Sequence, residues 1–151
     1  MRGLAIAVVV VGLAGLAGGC GGKDEPQRSA LAENLAQLCD QARADVEALG
    51  LPSEKGFGVM KPTASIGLRL AGDVRKLEGT TAAEKEQVAS LAEYFRFYFK
   101  ELEAAVRLYE VGQSEVYAIT LDRAKGTLAS AEALATRMGA PECAVRAFPD
   151  R

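Results

Sequence analysis

The chain has 151 residues with 20 acidic and 18 basic side chains, a formal net charge of −2, and no histidine. Its length is typical of one domain that is large enough to bury a hydrophobic core, and its charge argues against a nucleic-acid partner, which would require a basic face. The lack of histidine removes the commonest general base and the commonest transition-metal ligand, so we expect neither an enzyme nor a cofactor or metal site.

The N-terminal segment is predicted to be a signal peptide. Residues 3–22 carry no charge, and their apolar centre, residues 4–16, has the length of a signal-peptide hydrophobic region and is too short to span a bilayer. Arg2 supplies the positive start of such a segment, and small residues lead directly into Cys20. We therefore expect cleavage before Cys20, which removes residues 1–19.

The four residues before the predicted cleavage point are Leu16, Ala17, Gly18 and Gly19. Together with Cys20 they resemble the lipobox of bacterial lipoproteins, in which the cysteine sulfur receives a diacylglyceryl group. The resemblance implies that the protein is extracytoplasmic and is held at a bacterial cell membrane by acyl chains on Cys20, because two or three chains give stable anchoring. An ordinary signal peptidase also accepts small residues at these positions, so a secreted protein and an uncleaved anchor helix are the alternatives.

Cleavage changes the charge of the protein and exposes a short polar segment. Removal of residues 1–19 leaves 17 basic and 20 acidic side chains, so the mature protein carries a net charge of −3. Residues 20–28 then form a tether, because glycine, proline and mixed charge prevent a packed core. The remaining residues, 29–151, are predicted to form the domain.

Beyond the tether, apolar residues recur at helical spacing in four segments, and no segment shows the alternation of a strand. The predicted helices cover residues 29–49, 63–79, 81–111 and 114–138. Thr81 and Glu84 have the spacing of a capping box at the start of the third helix, and residues 51–62 are predicted to be a connecting loop. Because the second and third connections are short, neighbouring helices must be antiparallel. The predicted fold class is therefore all-α, an up-down-up-down four-helix bundle.

The two remaining cysteines are predicted to form a disulfide. Cys39 lies on the apolar stripe of the first helix, and Cys143 lies five residues beyond the end of the fourth. In the predicted topology the end of the fourth helix lies beside the start of the first. A short C-terminal tail that folds back along the first helix can therefore bring the two sulfurs together. Outside the cytoplasm such a pair is normally oxidised, and two free thiols, one of them buried, are the alternative.

Residues 93–99, within the third predicted helix, hold five of the nine aromatic residues of the chain. An aromatic stripe at helical spacing is typical of a core helix, so most of these rings are expected to be buried. Phe97 is the exception, because it projects at the edge of the apolar arc beside Leu108. These two residues are the candidate patch for a partner or a ligand.

Three features of the mature domain carry a second resemblance: Asn34 and Cys39 in the first predicted helix, and the closing residues 138–143, MGAPEC. With these features the domain resembles the small uncharacterised helical-bundle lipoproteins of high-GC bacteria. The resemblance covers most of the mature chain. It implies a helical bundle and no particular activity.

No arrangement of residues in the sequence predicts catalysis. The chain lacks the Gly-x-Ser-x-Gly elbow, a phosphate-binding glycine loop and the ligand spacing of a haem or di-iron centre. We therefore expect a non-enzymatic, lipid-anchored binding or structural module of the bacterial cell envelope, whose partner is an envelope protein or an apolar ligand. The alternative is a carrier that holds a hydrophobic small molecule in a cavity between the third and fourth helices.

Overall fold

The structure of the protein is a computed structural model that describes residues 28–50 and 57–144. The predicted signal peptide and tether, Cys20 included, fall almost wholly outside these residues. Within them the fold is all-α, as predicted, with four helices and no strand. The helices are α1 (Ala30–Glu47), α2 (Phe57–Val74), α3 (Ala82–Glu110) and α4 (Ser114–Arg137), and a short 3-10 turn, Pro141–Cys143, follows α4.

The helix ends follow signals that are visible in the sequence. The Ser29 hydroxyl caps α1 by accepting a hydrogen bond from the Ala32 N–H at 3.2 Å. Thr81 and Glu84 form the predicted capping box, in which the Thr81 hydroxyl accepts from the Glu84 N–H and the Glu84 carboxylate accepts from the Thr81 N–H, both at 3.1 Å. A further hydrogen bond from the Thr80 hydroxyl is the main reason that the pKa of Glu84 is lowered. Polar caps thus define where α1 and α3 begin.

The boundaries predicted for the second helix are wrong at both ends. The helix begins at Phe57, so part of the predicted loop is helical, and it ends at Val74, before the predicted stop at Gly79. Pro62 lies inside it, although proline removes one helical hydrogen bond. The first turn persists because Val59, ahead of the proline, is buried in the protein interior. Here tertiary burial outweighs the local preference of proline.

The long helix α3 lies at the centre of the packing, with α2 against one part of its surface and α4 against another. As predicted, most of the rings within residues 93–99 are buried: Phe95, Tyr98 and Phe99 are almost completely covered, whereas Tyr94 is exposed as well as Phe97. The first helix, α1, packs on α2 and on the 3-10 turn. The core formed in this way contains residues from every helix, among them Leu35, Val74, Leu91, Phe95, Leu102, Ala131 and Ala135.

The helices α2 and α3 approach each other closely at Gly67. A Cβ atom on this residue would overlap the ring of Phe99, so only glycine leaves room for the ring at this point. By contrast, Gly72 lies on the exposed side of the same helix, and a Cβ there would meet nothing within 4 Å. Gly67 and Gly72 therefore have opposite consequences for packing.

This difference predicts opposite effects of one substitution at two positions. Gly67→Ala forces the buried Phe99 ring out of place and should lower the free energy of unfolding by about 1–3 kcal/mol. Gly72→Ala should raise it by about 0.5–1 kcal/mol, because alanine is the better helix former and has free space. Urea denaturation of both variants measures the two changes, and equal effects would contradict the close approach at Gly67.

Candidate ligand-binding site

The structure joins Cys39 and Cys143 in a disulfide, as predicted, across 104 residues of sequence and with a Cα–Cα distance of 5.0 Å. Both side chains are fully buried. The bond ties the 3-10 turn that follows α4 to the middle of α1. It therefore fixes the position of α1 relative to the C-terminal end of α4.

Polar contacts surround the disulfide and hold the same two segments together. Arg28, just before α1, donates a hydrogen bond to the Glu142 carboxylate at 2.6 Å, and Arg43 donates to the Glu142 backbone carbonyl. The Glu142 backbone N–H and then Arg28 lower the pKa of this carboxyl group. The carboxylate is thus kept ionised, and its pairing reinforces the contact that the disulfide makes.

We expect the disulfide to be a major source of stability. The double variant Cys39→Ala/Cys143→Ala should lose about 2–5 kcal/mol of unfolding free energy, because the long loop is no longer closed in the unfolded chain. Thermal unfolding with and without dithiothreitol measures this contribution. The reductant should lower the Tm of the native chain and leave that of the double variant unchanged, and an unchanged native Tm would contradict the bond.

A cleft of about 330 Å³ lies between α1 and α2. Its walls are mostly apolar, and the ring of Phe99 from α3 forms part of its lining beside Gly67. Ala144, next to the disulfide, lines the cleft at the edge where the C-terminal segment meets α1. The lining residues are Ala42, Arg43, Val46, Glu47, Thr63, Ile66, Gly67, Leu70, Phe99 and Ala144.

Three polar side chains line this cleft, and two of them are already engaged. The Thr63 hydroxyl donates to the Val59 carbonyl at 2.8 Å, so its proton is used within α2. Arg43 pairs with Asp40 at 3.0 Å and also donates to the backbone of the 3-10 turn. Glu47 is exposed near the end of α1. The cleft therefore presents an apolar surface with a carboxylate at its mouth.

The predicted patch residues do not form one compact site. Phe97 is 50% exposed and lines a shallow depression between α3 and α4, together with Tyr94 and Gly126. Leu108 lies three turns further along α3, is partly buried and is not part of that depression. The depression is more open to solvent than the α1–α2 cleft. The role of Phe97 and Leu108 in binding a partner stays a prediction.

The hydroxyl group of Tyr98 is buried in the core, where it could act as a nucleophile only if it were ionised. Its oxygen has no hydrogen-bond partner, and the ring packs edge-on against Phe99 with the centroids 4.7 Å apart. Burial raises the pKa of this phenol, and the nearby negative charge of Glu132 raises it further. The hydroxyl therefore stays protonated at neutral pH and is not activated as a nucleophile.

Residues 28–50 and 57–144 contain neither a candidate metal site nor a helix that could span a membrane. No group of three or more potential metal-binding side chains occurs there, and none of the helices in this part of the chain has the length and apolar character needed to cross a bilayer. Comparison with protein-family models, with curated proteins and with solved structures finds no significant match. The geometry of the α1–α2 cleft is therefore the basis for inferring its function.

Sequence reasoning missed this cleft, and the reason lies in how it is built. It expected a cavity between the third and fourth helices, whereas the more enclosed space lies between α1 and α2. Individually, Ala42, Ile66 and Leu70 look like ordinary members of helical apolar stripes. The one available signal was Gly67, a glycine inside an apolar helical stretch, which often marks a close approach of two segments.

Proposed function

We propose that the protein is a non-enzymatic, lipid-anchored binding module of a bacterial cell envelope that takes up a small apolar molecule in the α1–α2 cleft. The observation that carries this proposal is the cleft itself. Its volume of about 330 Å³ falls in the range of small-molecule sites, which are concave and mostly apolar. The proposal joins the expected binding module with the expected carrier of a hydrophobic molecule.

The lining of the cleft supports binding of an apolar molecule. Val46 and Ile66 are partly exposed on its walls, whereas the Phe99 ring is only 3% exposed and contributes little of the surface that a ligand could cover. Apolar atoms left in contact with water gain free energy when a ligand covers them, at about 25 cal/mol for each Å² removed from water. Binding would thus complete a part of the interior that the protein leaves unfilled.

We also propose the up-down-up-down arrangement of the four helices. Gly67 in α2 lies against Phe99 in α3, whereas Arg75, just beyond α2, pairs with the earlier residue Glu93 at 3.3 Å, so the two helices run in opposite directions. Tyr109 and Tyr117, on opposite sides of the α3–α4 turn, have ring centroids 5.7 Å apart. These contacts support antiparallel packing for both helix pairs.

The cellular setting of the proposal depends on Cys20. A buried disulfide between Cys39 and Cys143 fits an oxidising compartment outside the cytoplasm. In that setting the third cysteine, Cys20, has no cysteine left to pair with and is the residue that the lipobox resemblance assigns to lipid attachment. The tether of residues 20–28 would then place the domain at the membrane surface.

Filling the cleft tests the binding site. Ala42 lines it, whereas Ala44 of the same helix is exposed outside it. Ala42→Leu should weaken binding of N-phenylnaphthylamine, a neutral apolar dye, by about tenfold, which corresponds to about 1.4 kcal/mol. Ala44→Leu adds the same atoms elsewhere and should bind like the native chain. Equilibrium dialysis against matched detergent blanks measures the affinities.

Two results would contradict the proposed site. If the native chain does not retain the dye, the cleft is not a binding site for apolar molecules. If Ala42→Leu binds as tightly as Ala44→Leu, the dye binds elsewhere. Circular dichroism of both variants checks that they are equally folded, as expected because leucine, like alanine, is a good helix former.

Replacing Cys20 tests the anchor independently. Expressed in a bacterium that acylates lipoproteins, the native chain should have a mature mass that includes acyl chains on Cys20 and should partition into detergent. Cys20→Ser removes the sulfur that carries the lipid, so it should lose both properties. An unmodified native cysteine in intact-mass measurements would contradict lipid anchoring and leave the cleft unaffected.

A further inference from the structure

The charged side chains along the α1–α2 cleft are not equally available to a ligand. Arg43 has an ionic partner in Asp40 at 3.0 Å and a second acceptor in the Glu142 carbonyl, so an anionic ligand would have to displace contacts already made. Within the described part of the chain, no basic side chain forms an ion pair with Glu47. The carboxylate of Glu47 is therefore the available charge at this site.

A neighbouring ion pair between α1 and α2 adds no net charge beside the cleft. Asp45 and Arg69 are bonded to each other across the two helices, and their charges largely cancel. Glu47 lies at the last position of α1 and faces the cleft, where Val46 and Ile66 provide apolar surface. An apolar wall next to an uncompensated carboxylate complements a molecule with an apolar body and a positively charged end.

We propose that the α1–α2 cleft selects amphiphilic amines, with the apolar body against Val46 and Ile66 and the ammonium group beside the Glu47 carboxylate. This inference rests on the proposed apolar-binding function and adds the chemical class of the ligand. The apolar contacts supply most of the affinity, because an exposed ion pair contributes little. The carboxylate supplies the preference among molecules that share the same apolar body.

Three probes with one body and different ends test the preference. Phenylbutylamine is a cation at neutral pH, phenylbutanol is neutral and phenylbutyrate is an anion. At low ionic strength the native chain should bind the amine about two- to fivefold more tightly than the alcohol, the range expected for an exposed ion pair. The carboxylate probe should bind most weakly, and added salt should reduce the differences.

Two variants of α1 assign the preference to one carboxylate. Glu47→Gln should weaken binding of the amine about two- to fivefold and so bring the amine and the alcohol to equal affinity. Glu33→Gln makes the same change in charge on an exposed residue at the other end of the helix, outside the cleft, and should keep the native preference. Isothermal titration calorimetry of the full chain in detergent provides the affinities.

The outcomes separate this inference from the function on which it rests. Equal binding of the amine and the alcohol by the native chain, or tighter binding of phenylbutyrate, would overturn the amine preference and leave apolar binding intact. A preference that persists in Glu47→Gln would also overturn it, since the charge would act from another place. If none of the three probes binds, both the inference and the proposed function fail.

Discussion

The contact between Gly67 and the ring of Phe99 is the constraint on which the rest of the structure depends. Because residue 67 has no side chain, α2 lies directly on the aromatic surface of α3. This close approach places the ring in the core and also at the base of the α1–α2 cleft. One missing methyl group thus determines how closely the two helices pack beside the cleft.

The other wall of the cleft is positioned by a different kind of interaction. The helix α1 contacts α2 and the 3-10 turn, and its link to that turn is covalent through Cys39 and Cys143. The ion pair of Arg28 with Glu142 strengthens the same junction. The cleft therefore lies between a helix placed by close packing and a helix tied down by a disulfide. Its shape should depend on the oxidation state of those cysteines, because Ala144 at its edge follows Cys143 directly.

The proposed function follows from what the cleft offers. Thr63 and Arg43 are engaged with partners inside the protein, so the surface available to a ligand is apolar apart from Glu47. Such a surface is suited to holding a molecule by contact area and to discriminating by charge. A lipid anchor at Cys20, joined to the domain by a short tether, would present this cleft close to a membrane, where apolar molecules concentrate.

The sequence by itself determined the helical class and the starts of α1 and α3, because caps and helical periodicity are local signals. It predicted the pairing of the two cysteines from the expected compartment and helix topology together. It missed the first turns of α2, where burial of Val59 outweighs the effect of Pro62. Only the tertiary structure decided where the cleft lies. That position depends on how closely two helices approach at Gly67 and on where α1 is tied, and neither distance is encoded in the periodicity of a single helix.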